Sequence, residues 1–445
     1  MSTRVAIELN DTGFIVSDGV HLIHNSPAYI IDSRNQTWLG NEARERAYLY
    51  SNECQNKFWS DIAHAENNTI DQAVIKLAMQ HLASVWQQVP SDVTTVVLIV
   101  PATFTKMGLG YLLGICKQLD IPVRAMVHQA VLCPYQEGHN GDTLHLGVQL
   151  HNSAITKLET LDNEFAAKDV RVVSEVGIIS LYTQCAEFIA QQFIEKTRLD
   201  PIYSAELEQQ LHNSLPGWLQ DSQRLDSVIC RLEHQNNSFE IVIDSQQLHK
   251  VYQPLINNVL TTVKSICDVS EAILCIAESI DAQFGFKRNA SKFNLKVRSL
   301  FDSYYAKQSF EFDEKELSYD GKVYLNKQLP YKKISDELTY VSSIEKTYYE
   351  PNHVLFCHYA YPINDKICLV RTNLGVLEFV DKPTDHSDII LIILKKSDGI
   401  YIEIDPQKTL KINDQLAHTI AKLSVGDSIE FESCQDLLNL IEVKR

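Results

Sequence analysis

Two short polar turns, each directly after a β-rich run, carry residues suited to phosphate chemistry. The first is Asn10-Asp11-Thr12-Gly13 after VAIEL, and the second is His151-Asn152-Ser153 after LHLGVQL. Turns of this kind present backbone N–H groups that can bind phosphate oxygens, and a nearby carboxylate can orient Mg²⁺ through its waters. The two turns therefore make Asp11, Thr12, Gly13, His151, Asn152 and Ser153 candidates for contacting a phosphate group.

The elements around the first turn read as a β-meander followed by helices and a buried strand. The runs VAIEL, FIVSDG and AYIIDS are separated by turn residues. A helical stripe of apolar residues begins near Thr69. The apolar strand TTVVLIVPATF, the helix MGLGYLLGICKQLDI and the strand VRAMV then predict a βαβ unit within a sheet that is buried on both faces.

The elements around the second turn repeat this pattern. Strands are predicted at LHLGVQL, ITKLETL and VRVVSEVG, followed by the long amphipathic helix LYTQCAEFIAQQFIEKTR. A further helix over 204–215 is expected to stop at Pro216-Gly217. The last long helix contains Pro254, which predicts a kink or an interruption before the strand EAILCIA.

The C-terminal third has a different pattern, because β-runs such as LFCHYAY, DIILIIL and IYIEI replace the helices after about residue 310. A charged stretch over 306–335 is typical of a connector. Residues 336–445 predict a β-sandwich or open barrel, with one amphipathic helix expected near 414–423.

Composition sets the protein class. The chain has 445 residues, 45% hydrophobic and 22% charged, which favours two to four folded domains over a disordered or fibrous chain. The formal net charge of −17 makes nucleic acid a poor partner, because an acidic surface repels phosphate backbones.

The ten cysteines are scattered without a Cys-x-x-Cys motif, which favours reduced thiols. The N-terminus lacks the pattern of a signal peptide, and no apolar run approaches the length of a membrane span. We therefore expect a cytoplasmic protein that makes no membrane contact.

Three segments carry a resemblance to a known family. VVLIVPATF, the following helix and VRAMVHQAV resemble the strand, Val-Pro-Ala-x-Phe, helix and Glu-Pro turn of the heat-shock protein 70 family and its actin-like relatives. PAYIID with WLGNEARERA resembles the early Pro-Ser-x-Val and Val-Gly-x-x-Ala segments of that family. FEIVIDSQQLHKVYQPLINNVLTTVK resembles its late Arg-x-x-Phe helix. The resemblance covers about residues 3–300.

This resemblance implies a fold and a cofactor. The fold is α/β, a two-lobed actin-like (ribonuclease H-like repeat) nucleotide-binding domain over residues 1–305, followed by an all-β sandwich. The lobes would span about 1–140 and 141–305. The implied ligand is ATP or ADP with Mg²⁺, with Ser279 added to the turn residues on the nucleoside side.

The sequence departs from the family pattern at both phosphate loops. The first loop reads Asp-Leu-Gly-Thr-Thr in the family, whereas this chain has Glu8 for the acid and Asn10 for the glycine. The second reads Asp-Leu-Gly-Gly-Gly-Thr-x-Asp, whereas this chain has Gln149 at the first acid and His151, Asn152 and Ser153 at the glycines. A neutral amide cannot replace a carboxylate near a divalent cation.

Two further positions depart from the pattern. Gln129-Ala130 stands at the Glu-Pro turn, so an amide replaces the carboxylate that would orient the attacking water. At the adenosine turn, Ile276-Ala277-Glu278-Ser279 replaces Val-Gly-Gly-Ser, which adds bulk and charge beside the nucleoside.

Two functions follow from the resemblance and these departures. The first is a pseudo-ATPase scaffold that acts through protein partners, including basic or unfolded segments. The alternative is an active, ATP-binding, chaperone-like ATPase that couples its cleft to the C-terminal domain. A sugar kinase would need a catalytic Asp and a sugar cleft that no motif indicates, and no Gly-x-Ser-x-Gly elbow indicates a hydrolase.

Three other signals have simpler structural interpretations. His353, Cys357 and His358 have a spacing that favours strand packing over a metal site. The lysines and tyrosines between residues 319 and 333 favour a solvated linker over an RNA contact. IYIEI, LKIN and LSVGDSIEF resemble the last strands of a forkhead-associated-type sandwich, a phosphothreonine-binding module, but the Gly-Arg and Ser-x-x-His residues that would bind the phosphate are missing.

Overall fold

The fold is taken from a computed structural model of the whole chain. The described residues are 3–33, 36–65, 70–136, 139, 141–161, 163–317, 323–331, 351–356, 359–364, 366–371, 377–380, 388–396, 399–404, 410–412, 415–416, 420–423, 428–431 and 438–441. The chain divides into two compact units, Met1–Leu338 and Thr339–Arg445. The expected mixed α/β character is confirmed.

The first half of unit 1, residues 3–136, contains eight strands and four helices in its described part. Their bounds are β1 Thr3–Glu8, β2 Phe14–Ser17, β3 Leu22–Ser26, β4 Ile30–Asp32, β5 Thr37–Leu39, α1 Gly40–Arg44, β6 Cys54–Gln55, α2 Phe58–Ala63, α3 Gln72–Trp86, β7 Val93–Val100, α4 Lys106–Gln118 and β8 Val123–His128, with a 3₁₀ turn over Gln129–Leu132.

Local sequence accounts for these elements. In β7 the last six residues are fully buried, as expected for a central strand covered on both faces. The Asp71 side chain caps α3 by accepting from the N–H of Ala73, and Thr105 caps α4 in the same way at Gly108. Ala78, Leu82 and Val85 form the buried stripe of α3.

The second half of unit 1, residues 141–300, repeats this pattern of strands and helices. The bounds are β9 Thr143–Val148, β10 Ser153–Leu161, β11 Glu164–Val173, α5 Ile178–Thr197, α6 Ala205–Arg224, β12 Ser227–His234, β13 Asn237–Asp244, α7 Ser245–Ile266, β14 Ile273–Ala277, α8 Glu278–Phe284, α9 Phe286–Ala290 and β15 Lys296–Leu300, with 3₁₀ turns over Val269–Glu271 and Ser291–Phe293.

The two halves share one strand order. In the first half the order is β3-β2-β1-β7-β8, and in the second it is β11-β10-β9-β14-β15. The first three strands of each half form an antiparallel meander, and the last two run parallel to the first strand. The first polar turn joins β1 to β2, and the second joins β9 to β10. These are the first two strands of each half along the chain, so the two turns occupy equivalent places.

Two helices continue through prolines at which the sequence predicted a stop or an interruption. α6 runs past Pro216 to Arg224, so the predicted stop at Pro216-Gly217 is wrong. α7 likewise continues through Pro254. Each proline removes one backbone hydrogen bond, but Leu215, Trp218 and Leu219 remain buried on either side of Pro216 and hold that helix against the core.

The segment expected to be a connector, 306–335, contributes to unit 1 wherever it is described. Its elements and the helix leading into it are α10 Tyr304–Ser309, α11 Glu314–Leu317, β16 Leu325–Asn326 and β17 Gln328–Pro330. β16 pairs with β8 in the first half, and β17 pairs with β11 in the second. Phe312, Leu317 and Leu329 are buried, which explains why a stretch with charged composition still packs.

Unit 2 is an all-β structure in its described residues. Its strands are β18 His353–Phe356, β19 Tyr359–Pro362, β20 Lys366–Arg371, β21 Leu377–Val380, β22 Asp388–Lys396, β23 Gly399–Ile404, β24 Leu410–Ile412, β25 Gln415–Leu416, β26 Ile420–Leu423, β27 Ser428–Phe431 and β28 Leu438–Ile441. They form antiparallel sheets of six strands, β19-β18-β28-β27-β24-β25, and five, β21-β20-β22-β23-β26. The helix expected near 414–423 is wrong, because β25 and β26 lie there as paired strands.

Two further properties concern the cysteines and the helices. The eight cysteines within the described residues are all free thiols. Within the same residues, no helix combines the length and the apolarity needed to cross a membrane.

Candidate functional site

The first polar turn is held closed by its own side chains. The Asn10 Oδ1 atom accepts hydrogen bonds from the Thr12 N–H at 3.0 Å and the Thr12 hydroxyl at 2.8 Å. The Gly13 N–H donates to the Asn10 carbonyl at 2.9 Å. A Cβ atom at Gly13 would lie 2.3 Å from the Asn25 amide oxygen, so the glycine allows the Asn25 side chain to lie close to the turn. The N–H groups of Thr12 and Gly13 therefore already have acceptors within the turn.

The two turns bind each other directly. The Leu150 N–H donates to Asp11 Oδ1 at 2.7 Å, and the Asn10 side-chain amide donates to the Val148 carbonyl at 3.2 Å. Asp11 is buried, and burial raises the pKa of its carboxyl to about 7 although nearby N–H groups lower it. The sequence singled out Asp11, and the structure shows that its partner is the backbone of the second turn.

The second turn is held by the N-terminus of α5. The N–H groups of Ile178 and Ile179 donate to the carbonyls of Gln149 and Leu150, at 3.0 and 2.9 Å. A Cβ atom at Gly177 would lie 2.4 Å from the Leu150 carbonyl oxygen and 2.7 Å from that of Gln149, so only glycine allows this approach. The first N–H groups of α5, which could otherwise bind an anion, thus bind protein carbonyls.

The three side chains of the second turn contact neighbouring protein groups. His151 Nε2 donates to the Asn56 carbonyl at 3.2 Å, and burial lowers the pKa of His151. Asn152 Oδ1 accepts from the Glu175 N–H at 3.3 Å. The Ser153 hydroxyl, which is fully buried, donates to the Val176 carbonyl. The structure thus brings His151, Asn152 and Ser153 beside Asp11 through the turn itself, and each has a partner.

Glu8 and Gln129 form a buried pair that sequence reasoning missed. Gln129 Nε2 donates to Glu8 Oε1 at 2.7 Å, although the residues are 121 positions apart. Burial, helped by the charge of Asp302, raises the pKa of Glu8 to about 8 against the opposing effect of Gln129. Glu8 Oε2 has no hydrogen-bond partner among the described residues. The amide at position 129 therefore serves to hold the one retained acid.

A buried histidine lies beside this pair. The His145 ring contacts Tyr305 edge to face, with centroids 5.2 Å apart, and burial lowers the pKa of His145 to about 3. A Cβ atom at Gly147 would lie 3.3 Å from His145 and 3.6 Å from the Gln129 amide oxygen, so both side chains converge over Gly147. In the sequence, the one sign of this cluster is His145 itself, a polar residue within the apolar run LHLGV.

Ser279 lies apart from the turn-to-turn contacts, in the first turn of α8. Its N–H donates to Asp302 Oδ1 at 3.3 Å, and the charge of Asp302 also contributes to the raised pKa of Glu8. Ser279 is therefore linked to the buried acid only through the field of Asp302.

A small cavity lies beside Asp11 and Gln149. Its volume is about 10 Å³, enough for about one water molecule. Its lining consists of Leu9, Asp11, Phe14, Trp59, Ala63, Phe104 and Gln149. The Gln149 amide oxygen in turn accepts from the Thr103 hydroxyl at 3.2 Å. Aromatic side chains and this hydrogen bond therefore enclose the cavity.

Metal-binding side chains are not grouped in the described part of the chain. There, no three His, Cys, Asp or Glu side chains are close enough to hold an ion. His353 lies in β18 and its Nδ1 contacts the Asn352 amide oxygen at 2.7 Å. Cys357 and His358, the other two residues of that candidate, lie outside the described residues.

Two sequence comparisons found no match. No protein-family model matches this chain, and no curated protein has a significantly similar sequence. A functional interpretation therefore depends on the contacts described above.

Proposed function

We propose that residues 3–300 are a divergent, two-lobed member of the heat-shock protein 70 and actin-like superfamily. The repeated strand order of the two halves supports this, because a ribonuclease H-like repeat is the expected core of such a fold. The equivalent positions of the two polar turns support it as well. The resemblance of the three sequence segments is independent of both observations.

The function we propose is that of a pseudo-ATPase scaffold, which acts through protein contacts. The observation that carries this proposal is the hydrogen bond from the Leu150 N–H to Asp11 Oδ1. In a phosphate-clamping fold the two turns bind the ligand from opposite sides, whereas here each turn supplies the partner of the other. A nucleotide would have to break this bond and leave buried groups unpaired.

The residues at this site do not suit Mg·ATP. Gln149 and Gln129 stand where the resemblance expects carboxylates, and both amides already bind protein side chains. The cavity beside Asp11 and Gln149 has room for about one water molecule. The N–H groups at the start of α5 are bonded to Gln149 and Leu150 as well. Mg²⁺ and the phosphates would therefore lack their usual ligands.

Nucleotide binding tests the proposal. Isothermal calorimetry of the full chain with ATP and ADP, with and without Mg²⁺, should show no heat of binding. A micromolar binder at millimolar ATP would gain about 4 kcal/mol of stability and several degrees in Tm, so thermal unfolding gives an independent readout. Micromolar, Mg²⁺-dependent binding would establish the chaperone-like ATPase instead.

Unit 2 is the part that we propose makes protein contacts. Its two antiparallel sheets, of six and five strands, enclose an apolar core that includes Val354, Leu369 and Ile393. This architecture supports the resemblance to a forkhead-associated-type sandwich. Because the phosphate-binding residues of that module are missing from the sequence, we expect peptide recognition without dependence on phosphothreonine.

A peptide panel tests this role with the full chain. Labelled unfolded peptides, each with and without a phosphothreonine, should bind with similar affinities in both forms. Binding only of the phosphorylated forms would indicate a phosphopeptide module, and no binding at all would remove unit 2 as a peptide-binding domain.

A further inference from the structure

Charge is unevenly distributed along the second half of unit 1. Acidic residues make up 57 of the 445 residues, about one in eight, yet none lies in the stretches 245–267 and 282–301. The same two stretches carry seven basic residues, which are Lys250, Lys264, Lys287, Arg288, Lys292, Lys296 and Arg298. A chain with a net charge of −17 thus contains two segments whose only charged side chains are basic.

The fold brings these two segments together. The first segment is almost entirely α7, and the second contains α9, the 3₁₀ turn over Ser291–Phe293 and β15. α9 packs against α7 and continues directly into that turn. The two segments, which are separate in the sequence, are therefore neighbours on the second half of unit 1.

Two side-chain contacts join the segments. The Arg288 guanidinium lies against the His249 ring, with Nη1 2.6 Å from Nδ1 and 2.9 Å from Nε2. Burial and the charge of Arg288 lower the pKa of His249 to about 4, so at neutral pH the ring is uncharged and does not repel the guanidinium. The Lys264 ammonium lies 3.6 Å from the centre of the Phe293 ring, which is a cation–π distance. Lys292, next to Phe293, is near enough to His249 to contribute to its lowered pKa.

We refer to the surface formed by Lys264, Lys287, Arg288 and Lys292 as the basic face. All four side chains are exposed to solvent. Among the described residues none of the four makes a salt bridge, in contrast to Arg231, which pairs with Glu240 at 2.7 Å. The charge of the basic face is therefore available to an anionic partner.

The length of the basic face favours a short acidic segment of a protein. His249, which contacts Arg288, and Lys264 are 15 residues apart on α7, a distance of about 22 Å at 1.5 Å per residue. An extended peptide of about seven residues covers this length. DNA carries a charge at every ~1.7 Å of its axis and would continue beyond the face, where the rest of the chain is acidic. A short acidic peptide avoids that repulsion.

We propose that the basic face binds a short acidic segment of a partner protein, whose carboxylates pair with its four cations. This assigns a contact surface to unit 1, in addition to the protein contacts proposed for unit 2. It stands independently of peptide binding by unit 2 and of nucleotide binding, because the basic face lies on α7 and α9.

A labelled peptide of about seven glutamates tests the proposal with the full chain, because at about 3.3 Å per residue it spans the basic face. Fluorescence anisotropy should show binding that weakens with added salt, whereas the corresponding glutamine peptide should not bind. Tighter binding of an oligothymidylate of equal charge would overturn the proposal in favour of a nucleic acid. No binding of the glutamate peptide would overturn it outright.

Two pairs of lysines separate the effect of the basic face from that of overall charge. Lys287→Gln with Lys292→Gln should weaken binding of the glutamate peptide about tenfold, as expected for the loss of two exposed ion pairs. Lys106→Gln with Lys117→Gln makes the same change of charge on exposed positions of α4, in the first half, and should leave the affinity unchanged. Equal effects of the two pairs would contradict the proposal. Salt-sensitive self-association that only the first pair abolishes would assign the basic face to a second copy of the chain instead.

Cross-linking of the natural chain gives a readout that needs no variant. A carbodiimide joins a carboxylate of the glutamate peptide to a nearby lysine, and mass spectrometry locates the resulting amide. Cross-links should concentrate at Lys264, Lys287 and Lys292 rather than at Lys106 and Lys117. An even distribution over the exposed lysines would overturn the assignment to the basic face.

Discussion

The two polar turns occupy equivalent places in a repeated strand order, yet different groups hold them in place. The first turn, residues 10–13, closes on itself through the Asn10 side chain and contains the buried acid Asp11, while the buried Glu8 ends the strand that leads into it. The second turn has no acid and depends on the N–H groups of α5. Across the contact, Asp11 accepts from the Leu150 N–H and the Asn10 side chain donates to the Val148 carbonyl. The repeat thus has the same strand order in both halves, but a different chemistry.

This difference predicts that acid–base effects on stability come from the first turn. The folded-state pKa of Glu8, about 8, lies above the ordinary value of 4.5, so the folded state holds the proton more tightly than the unfolded state. Stability should therefore fall as the pH rises through that window. Glu8→Gln places an amide before the first turn, as Gln149 does before the second. Its gain in stability over the natural chain should be larger at about pH 9 than at about pH 5, by on the order of 3 kcal/mol.

Urea unfolding followed by tryptophan fluorescence measures this effect, because all four tryptophans lie in unit 1. The exposed Glu42 provides the control, since Glu42→Gln should keep the pH dependence of the natural chain. If Glu8→Gln and Glu42→Gln gave the same curve, the buried acid would not be the source of the pH dependence.

A pair of glycines tests the packing side of the comparison. Gly177→Ala places a methyl group against two backbone carbonyls of the second turn, which cannot move without breaking the bonds from α5. Gly13→Ala meets the end of the exposed Asn25 side chain, which can rotate away. We expect a loss on the order of 2–3 kcal/mol at Gly177 and less than about 1 kcal/mol at Gly13.

The same fluorescence-detected unfolding compares both glycine variants with the natural chain. Similar losses at the two positions would mean that backbone packing does not distinguish the turns.

Sequence reasoning predicted the long helices and most of the long strands of unit 1 and both polar turns, because strand alternation, helix stripes and turn residues are local signals. It did not predict short elements such as α1, α2 and α8. It identified Gln129 as an amide in place of an acid but not its bond to Glu8, which joins distant parts of the chain. The hydrogen bonds of Gln209 with the Tyr48 N–H and the Arg44 carbonyl were missed for the same reason, since nothing around Gln209 in the sequence distinguishes it from Gln210. The charged composition after residue 305 gave no sign that Phe312 and Leu329 are buried. For Leu329, burial follows from the pairing of β17 with the distant strand β11, which the local sequence does not show.

The smallest effect compares the two asparagines. The Asn10 side chain makes three hydrogen bonds between 2.8 and 3.2 Å, two within its turn and one across to Val148. Asn152 makes longer contacts, at 3.3 Å with the Glu175 N–H and 3.5 Å with the Ser60 hydroxyl. Because three short hydrogen bonds contribute more than two long ones, Asn10→Ala should cost about 1–2 kcal/mol and Asn152→Ala less than about 0.5 kcal/mol. Unfolding in urea gives both values, and a larger loss for Asn152→Ala would show that the second turn is held by its own side chains rather than by α5.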